Sequence, residues 1–237
     1  MPTPPLDVSG FERIAFFTGA GLSAASGIAT YRGKGGIWDQ YDYRSVACQR
    51  AFDRDPDGVW DFHDQRRTNA AAAEPTAGHR LIAAVQTAVP GTRVITQNID
   101  GLHQRAGSTD VVELHGSLWG VRCEEEGKRW EELRLPPPSR HCDCGAWLRP
   151  DIVWFEDSLD STTLRAGVEA VQGCDLLVSV GTSLVVYPAA ELPGLAKRAG
   201  ATCVEINPEG SAASALFDVQ LRATADEGLA TLWPGLA

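Results

Sequence analysis

The chain has 237 residues, of which 43% are hydrophobic and 22% charged, and its net charge is −10. This length suits one large α/β domain, or a main domain that carries a small one. The acidic balance, without a basic stripe, argues against nucleic acid as a partner. No apolar run is long enough to cross a bilayer, so we expect no membrane partner either.

The first residues lack the basic and apolar regions of a secretory signal. The six cysteines are scattered along a chain that is too large to need disulfides for its stability. We therefore expect a reduced, cytoplasmic protein.

Short apolar runs alternate with Ala-rich stretches of helical character along most of the chain. Strands that alternate with helices indicate an α/β fold with a Rossmann-like, mostly parallel sheet and helices on both faces. Such sheets bind ligands at the carboxyl ends of their strands. The predicted strands are residues 14–17, 93–96, 111–114, 175–181, 202–207 and 217–221, and the clearest helices are residues 76–87 and 162–171.

Two segments interrupt this alternation. Residues 34–75 are polar, aromatic and of helical character, and residues 119–150 hold three cysteines and three consecutive prolines. We predict that they pack together as a small inserted lobe, made of a helical segment and a cysteine-containing module. The large lobe would then consist of residues 1–33, 76–118 and 151–237.

The first motif follows the first predicted strand. Gly19, Gly21 and Ala24 fit the G-x-G-x-x-G/A pattern of a dinucleotide-binding strand–turn–helix unit. Glycines there permit a tight turn and let the backbone approach a pyrophosphate at the N-terminus of a helix. Alone the pattern is weak, because glycine-rich turns are common.

Polar residues follow the next two predicted strands. Gln97, Asn98 and Asp100 offer amide and carboxylate groups suited to ribose hydroxyls and a carboxamide, although Asp100 could equally cap the next helix. His115 follows the third strand, where an imidazole can act as a base near neutral pH. A lone histidine is more often structural, which is how we interpret His103.

Taken together, these three blocks resemble the sirtuins, the NAD-dependent protein-lysine deacylases. The resemblance continues in family order through residues 149–155, 181–183, 187–190 and 205–208, and so covers nearly the whole chain. Several blocks in the same order are highly specific. The likeness is to the bacterial type, and within it to the desuccinylase and demalonylase branch.

The resemblance implies that NAD is consumed as a co-substrate and assigns a role to each matching residue. His115 would be the general base and Asn98 would hold a water beside the nicotinamide ribose. Val153 and Phe155 would lie on a strand that pairs with the substrate backbone and flanks the acyl-lysine tunnel. The NAD-binding set would be Gly19, Ala20, Gly21, Ala24, Tyr31, Arg32, Gln97, Asn98, Asp100, Gly181, Thr182, Ser183, Asn207 and Ala225.

The implied reaction acts on acylated lysines of proteins or peptides. The acyl oxygen attacks the anomeric carbon of the nicotinamide ribose and expels nicotinamide. His115 then takes a proton from a ribose hydroxyl, whose oxygen attacks the acyl carbon. Water completes the sequence and leaves free lysine and O-acyl-ADP-ribose.

The metal site departs from the family pattern, which has two cysteine pairs around a structural zinc. Cys142 and Cys144 form one pair, but Cys123 is followed by Glu126 where its partner is expected. Structural zinc sites overwhelmingly use four Cys or His ligands. Because Glu126 or His141 would be an unusual fourth ligand, the sequence predicts an incomplete zinc site and favours a lobe that is held by packing without the metal.

The acyl site also departs from the pattern. The desuccinylase branch grips the distal carboxylate with Tyr-x-x-Arg, and here Arg66 has the arginine position but His63 the tyrosine position. We expect an acidic-acyl pocket in which both side chains bind the carboxylate. The alternative is a solvated helix face. Tyr31 stands where sirtuins usually have phenylalanine, and Glu156 replaces a glycine common after Phe155.

Three classes of function remain open. The first is the lysine deacylase, acting on acetyl and, by this pocket, succinyl or malonyl groups. The second is another NAD-consuming enzyme, an ADP-ribosyltransferase or NAD hydrolase. The third is a non-catalytic NAD-binding module. A dehydrogenase is disfavoured, since the acidic residue expected about 20 positions after the glycines has no counterpart.

Overall fold

The computed structural model describes residues 6–31 and 35–236, and a six-stranded sheet forms its centre. The strands are β1 Ile14–Thr18, β2 Arg93–Thr96, β3 Val111–Glu113, β4 Gly116–Cys123, β5 Arg129–Glu131, β6 Leu148–Ile152, β7 Leu176–Val180, β8 Thr202–Ile206 and β9 Val219–Leu221. The α-helices are α1 Ile37–Gln40, α2 Tyr43–Val46, α3 Gln49–Arg54, α4 Pro56–Ala72, α5 Ala77–Ala88, α6 Leu102–Arg105, α7 Ser161–Gly173, α8 Leu192–Arg198 and α9 Ala225–Leu232. None of the helices described is long and apolar enough to cross a membrane.

The large sheet has the strand order β3-β2-β1-β7-β8-β9, and every neighbouring pair is parallel. From β1 the chain first builds outward through β2 and β3, and then returns to the other side of β1 to add β7. The order therefore reverses between β1 and β7. In doubly wound sheets this reversal opens a crevice at the carboxyl ends of the strands. The prediction of a Rossmann-like parallel sheet is confirmed.

Both faces of the sheet are covered, and alternate residues of β1 show how. Ile14 and Phe16 pack into a cluster with apolar residues of α5 and α9. Ala15 and Phe17 point the other way, into a cluster with residues of α7 and α8. A strand buried on both faces appears in the sequence as a continuous apolar run, which is why these strands could be predicted.

A second, antiparallel sheet of order β5-β4-β6 packs against α3 and α4. Trp60 on α4 is fully buried and donates from Nε1 to the carbonyl of Leu148 on β6 at 2.7 Å. The sequence did not predict this sheet, because β5 is three exposed residues and β4 has a register shift between Gly116 and Val121. We propose that this cluster is the core of the small lobe.

One arginine fastens the cysteine-containing module to α4. Arg140 Nη1 lies 2.8 Å from Asp57 Oδ1. Its Nη2 lies 2.6 Å from Asp61 Oδ1 and 3.0 Å from Asp64 Oδ2. The three aspartates share one face of the helix, since they are spaced by four and three residues. Because Arg140 is close to Cys142 in the chain, the module and the helix are held together.

Replacing Gly228 by alanine should destabilise the fold, because a Cβ there would lie 2.3 Å from Cγ2 of Ile206 on β8. Overpacking of a buried contact typically costs about 1–3 kcal/mol. Gly173→Ala, at the end of α7, is the matched control, since a Cβ there meets no described atom within 4 Å. Urea unfolding followed by circular dichroism would compare the free energies of unfolding. Equal values for the two variants would contradict this packing.

Candidate active site

A cleft of about 920 Å³ opens at the carboxyl ends of β1, β2, β7 and β8. Asp100 lies next to it, in an adjoining cavity of about 530 Å³ that shares Asn98 and Tyr31 with the cleft. Arg32 lies outside the described residues. The predicted residues that line the cleft are Gly19, Ala20, Gly21, Ala24, Tyr31, His63, Arg66, Gln97, Asn98, His115, Val153, Phe155, Gly181, Thr182, Ser183, Asn207 and Ala225.

The floor of the cleft is a contact between the loops that follow β1 and β7. The amide of Gly21 donates to the carbonyl of Gly181 at 2.9 Å. A Cβ on Gly21 would lie 2.7 Å from Gly181 Cα, and one on Gly181 would lie 2.6 Å from the nitrogen of Leu22. The φ of Gly181 is also +61°, which favours glycine. Only glycines let these two backbones touch.

The segment after the glycines differs from the prediction. The motif predicted a strand–turn–helix unit, but in place of the helix the structure has two 3-10 helices, Ala20–Leu22 and Ala24–Ser26. The second ends at Gly27, which has a φ of +80°. A single turn supplies little helix dipole. A pyrophosphate would therefore be held here by close backbone approach and not by the end of a long helix.

A buried polar network connects the glycine loop to the segment after β2. Asn98 Nδ2 donates to the carbonyl of Gly19 at 3.0 Å and to Ser23 Oγ at 3.2 Å. Ser23 in turn donates to Asp100 Oδ2 at 2.7 Å. Burial raises the pKa of Asp100, while its bonds to the amide of Leu102 and to Ser23 oppose this. Sequence reasoning missed Ser23, although it lies within the glycine motif.

His115 is held in the form that a general base needs. Its Nδ1 lies 3.0 Å from the carbonyl oxygen of Gln97, and a carbonyl can only accept. Nδ1 therefore carries the proton, and Nε2 keeps its lone pair. Burial lowers the pKa of His115 from its ordinary value, and the bond to Gln97 partly opposes this. The imidazole is thus neutral at physiological pH.

The far end of the cleft is tied together by side-chain amides. Gln97 Nε2 donates to Thr182 Oγ1 at 2.8 Å, and Asn207 Nδ2 donates to the carbonyl of Thr182 at 3.0 Å. Ser183 is exposed beside them, and Ala225 is the first residue of α9. These contacts fix the loops after β7 and β8 relative to β2.

The helix α4 brings Arg66 to the cleft but not a second donor. Arg66 lines the cleft and donates from Nη2 to Tyr31 Oη at 3.1 Å. His63 is only 2% exposed: its Nδ1 lies 2.8 Å from the carbonyl of Val59, and its Nε2 accepts from Trp154 Nε1 at 3.2 Å.

This environment corrects the prediction for His63. Burial lowers the pKa of His63 to about 3, so the ring is neutral. Because both nitrogens already have partners, neither can donate to a substrate carboxylate. The solvated helix face is also wrong, since His63 is buried and Arg66 lines the cleft.

The sequence matches the Sir2 family over residues 19–188, a span that contains the glycine motif, His115 and the loop after β7. The chain belongs to the Sir2 family. Its members are the sirtuins, so the resemblance in the motifs is confirmed.

The likeness to individual sirtuins extends over almost the whole chain. The NAD-dependent protein deacylase of Aquifex aeolicus (strain VF5) is 44% identical over 219 residues, which cover 91% of this chain and 92% of that protein. A Sir2 homologue, solved as a mutant with ADP-ribose, has a TM-score of 0.93 and 38% identity, covering 97% of this chain and 93% of its own. A Sir2 structure with a deacetylated p53 peptide and 3'-O-acetyl-ADP-ribose has a TM-score of 0.85 and 30% identity, covering 95% and 94%.

In this sirtuin the segment after β6 forms one wall of the cleft, and Val153 and Phe155 lie in it beyond the end of the strand, not on a strand as predicted. The amide of Val153 donates to the carbonyl of His115 at 2.9 Å, and the amide of Phe155 donates to the carbonyl of Ala47 at 3.0 Å. These two residues can therefore offer a substrate backbone only carbonyl groups. Glu156 follows with a φ of +74° and is paired with Arg50 at 2.5 Å. The positive φ of Glu156 explains why glycine is common at this position, since glycine adopts such a φ without strain.

Four side chains of the cysteine-containing module converge. The thiols of Cys123, Cys142 and Cys144 and the carboxylate of Glu126 have ligand atoms within 4.8 Å of one another. Cys123 Sγ lies 3.5 Å from Cys144 Sγ, and Cys142 Sγ lies 3.7 Å from Glu126 Oε2. These separations suit four ligands around a tetrahedral zinc, for which Zn–S is about 2.3 Å and Zn–O about 2.1 Å.

The structure thus changes the prediction of an incomplete zinc site. The sequence left the fourth ligand open between Glu126 and His141, and the structure places the carboxylate of Glu126 in the cluster. The ring of His141 lies outside it and stacks on Trp147, with centroids 4.1 Å apart. A zinc held here would have a structural role, because it would cross-link the end of β4 to the loop before β6.

We expect elemental analysis of the purified protein to find about one zinc per chain. Glu126→Ala should weaken zinc binding about tenfold or more, since it removes a ligand. It should also lower the melting temperature in the presence of a chelator. Glu125→Ala is the matched control, because this neighbouring carboxylate is exposed and lies outside the cluster. The assignment would be contradicted if protein purified from cells grown with added zinc contained no metal and if the two variants had equal melting temperatures.

Proposed function

We propose that this sirtuin is an NAD-dependent protein-lysine deacylase with His115 as its general base. The observation that carries the proposal is the orientation of His115, whose Nδ1 is bonded to Gln97 so that a neutral Nε2 is left in the cleft. A module that only bound NAD would not need such a base. The likeness to curated NAD-dependent protein deacylases over most of the chain disfavours an ADP-ribosyltransferase or a hydrolase.

NAD is the second substrate, and three parts of the cleft would hold it. The backbone contact of Gly21 with Gly181 leaves room for the pyrophosphate at the floor. Asp100 would bind the carboxamide in the adjoining cavity, where Asn98 and Ser23 position it. Asn207, with Ser183, Ala225 and their neighbours, would line the adenosine end.

The reaction begins when the acyl oxygen attacks the anomeric carbon of the nicotinamide ribose. A bond forms between these two atoms, while the bond from the anomeric carbon to nicotinamide breaks. His115 Nε2 takes the proton of a ribose hydroxyl, and that oxygen attacks the acyl carbon. Water then completes the release of free lysine and O-acyl-ADP-ribose. The carbonyl of Gln97 stabilises the imidazolium that His115 becomes.

The substrates would be lysines that carry acetyl or acidic acyl groups. Arg66 supplies a positive charge in the cleft, and a charge-assisted bond to a carboxylate is among the strongest available to a side chain. We therefore propose activity on succinyl- and malonyl-lysine besides acetyl-lysine. A cytoplasmic location stays a prediction.

An equimolar mixture of acetyl-lysine and succinyl-lysine peptides, followed by mass spectrometry with and without NAD, tests the activity and the acyl preference together. We expect NAD-dependent loss of both peptides and the appearance of O-acyl-ADP-ribose. Arg66→Met should lower the succinyl rate about tenfold or more relative to the acetyl rate, since it removes a charged hydrogen-bond donor. Arg165→Met, an exposed arginine of α7, is the control. If NAD is consumed while both peptides survive, the enzyme is a hydrolase or transferase.

The pH dependence of kcat/KM should report the titration of His115. The base must be neutral, so activity falls as the pH drops through its pKa. Because burial lowers that pKa, the midpoint should lie below the ordinary value of 6.5. His115→Ala should lose about 10²- to 10⁴-fold in kcat/KM and also lose this acidic limb. A His115→Ala variant that keeps the wild-type kcat/KM, or that keeps the same acidic limb, would rule out His115 as the base.

A further inference from the structure

Arg66 places a positive charge in the cleft. Among the described residues, no carboxylate lies within ion-pair distance of its guanidinium. Its Cζ lies over the rings of Tyr31 and Phe62, at 5.0 and 5.8 Å from their centroids. A partly buried charge is costly unless something pairs with it. The position therefore favours a ligand that brings a negative charge.

The acid that Arg66 influences most directly is already engaged. Arg66 lowers the pKa of Asp100 through space. The two oxygens of Asp100, however, accept from the hydroxyl of Ser23 and the amide of Leu102. Asp100 therefore offsets part of the charge from a distance and leaves the N–H groups of the guanidinium without a carboxylate.

Tyr31 places a second donor at the same point. Its hydroxyl oxygen accepts from Arg66 Nη2, so the proton of the hydroxyl is left to donate elsewhere. Burial raises the pKa of Tyr31, which keeps that proton in place at neutral pH. The ring packs on Trp38, with centroids 5.6 Å apart, and Trp38 packs on Phe155 at 5.3 Å. The hydroxyl is thus fixed relative to the wall of the cleft.

We propose that Tyr31 and Arg66 together form the acyl-carboxylate clamp of this enzyme, with Tyr31 as a specificity-determining residue. This inference rests on the proposed deacylase function. The tyrosine position of α4 is occupied by His63, whose nitrogens are both engaged. The hydroxyl donor comes instead from the loop after the glycine motif, 35 positions away from Arg66 in the chain.

The clamp selects acyl groups that end in a carboxylate, such as malonyl or succinyl. Such a group accepts from both the guanidinium and the phenol and neutralises the charge of Arg66. A methyl-terminated group leaves both donors without a new partner. The hydroxyl of Tyr31 therefore acts on the acyl end of the substrate, in addition to the NAD-binding role that the resemblance to sirtuins implies for this residue.

Two ratios test the clamp in the wild type, Tyr31→Phe, Arg66→Met and the double variant. The first is kcat/KM for a succinyl-lysine over an acetyl-lysine version of one peptide, at saturating NAD. The second is the ratio of their dissociation constants, measured by fluorescence polarisation with ADP-ribose present. Tyr43→Phe is the matched control, because Tyr43 packs on Phe155, at 4.2 Å, but lines neither the cleft nor the adjoining cavity.

We expect Tyr31→Phe to lower the succinyl preference about tenfold in both ratios, as for one hydrogen bond to a charged group, through KM and not kcat. The double variant should lose at least as much preference as Arg66→Met alone, since it removes both donors. The Tyr43 variant should keep the wild-type ratios.

Unchanged ratios in Tyr31→Phe would overturn the proposal. So would a change only in the KM for NAD or in inhibition by nicotinamide, which would confine Tyr31 to the cofactor. If neither peptide is turned over but the binding ratio falls, the clamp stands and the proposed activity fails.

Discussion

The contact between Gly21 and Gly181 is the constraint on which the rest of the site depends. It occurs where the strand order of the sheet reverses, so it brings together two loops that come from opposite halves of the chain. A doubly wound sheet has a crevice where its strand order reverses, and in this protein backbone atoms alone close the base of that crevice. Two side-chain amides of the cleft are positioned from this floor: Asn98 bonds to the carbonyl of Gly19, and Asn207 bonds to the carbonyl of Thr182.

The side chains around this floor divide into those with partners and those left open. Asn98, Ser23 and Asp100 satisfy one another, which fixes their positions before any substrate arrives. His115 uses Nδ1 for a bond within the protein and keeps Nε2 for a substrate. Arg66 uses Nη2 for a bond to Tyr31 and keeps its other N–H groups for a ligand. The open groups are a lone pair in one case and a set of N–H donors in the other. A proton acceptor and an anion site therefore share one cleft.

The sequence was sufficient for the large sheet, because strands buried on both faces are continuous apolar runs and end in polar residues. It also located the glycine floor and His115, which lie directly after such strands. It failed where the answer depended on distant contacts. No local signal shows that His63 is bonded to Trp154, or that Tyr31 meets Arg66. The position of Glu126 among three thiols likewise requires the fold of the module.

The central position of β1 has a consequence for how the protein is made. Phe16 lies opposite Val94 on one side and Val178 on the other, so β1 needs partners from two segments that are synthesised after it. Contacts so distant in sequence form slowly, and an unpaired strand edge is a site for wrong pairing. The glycine loop gains its final shape only after most of the chain has been synthesised. This loop is thus synthesised before β2 and β7 but reaches its final conformation only after both have paired with β1.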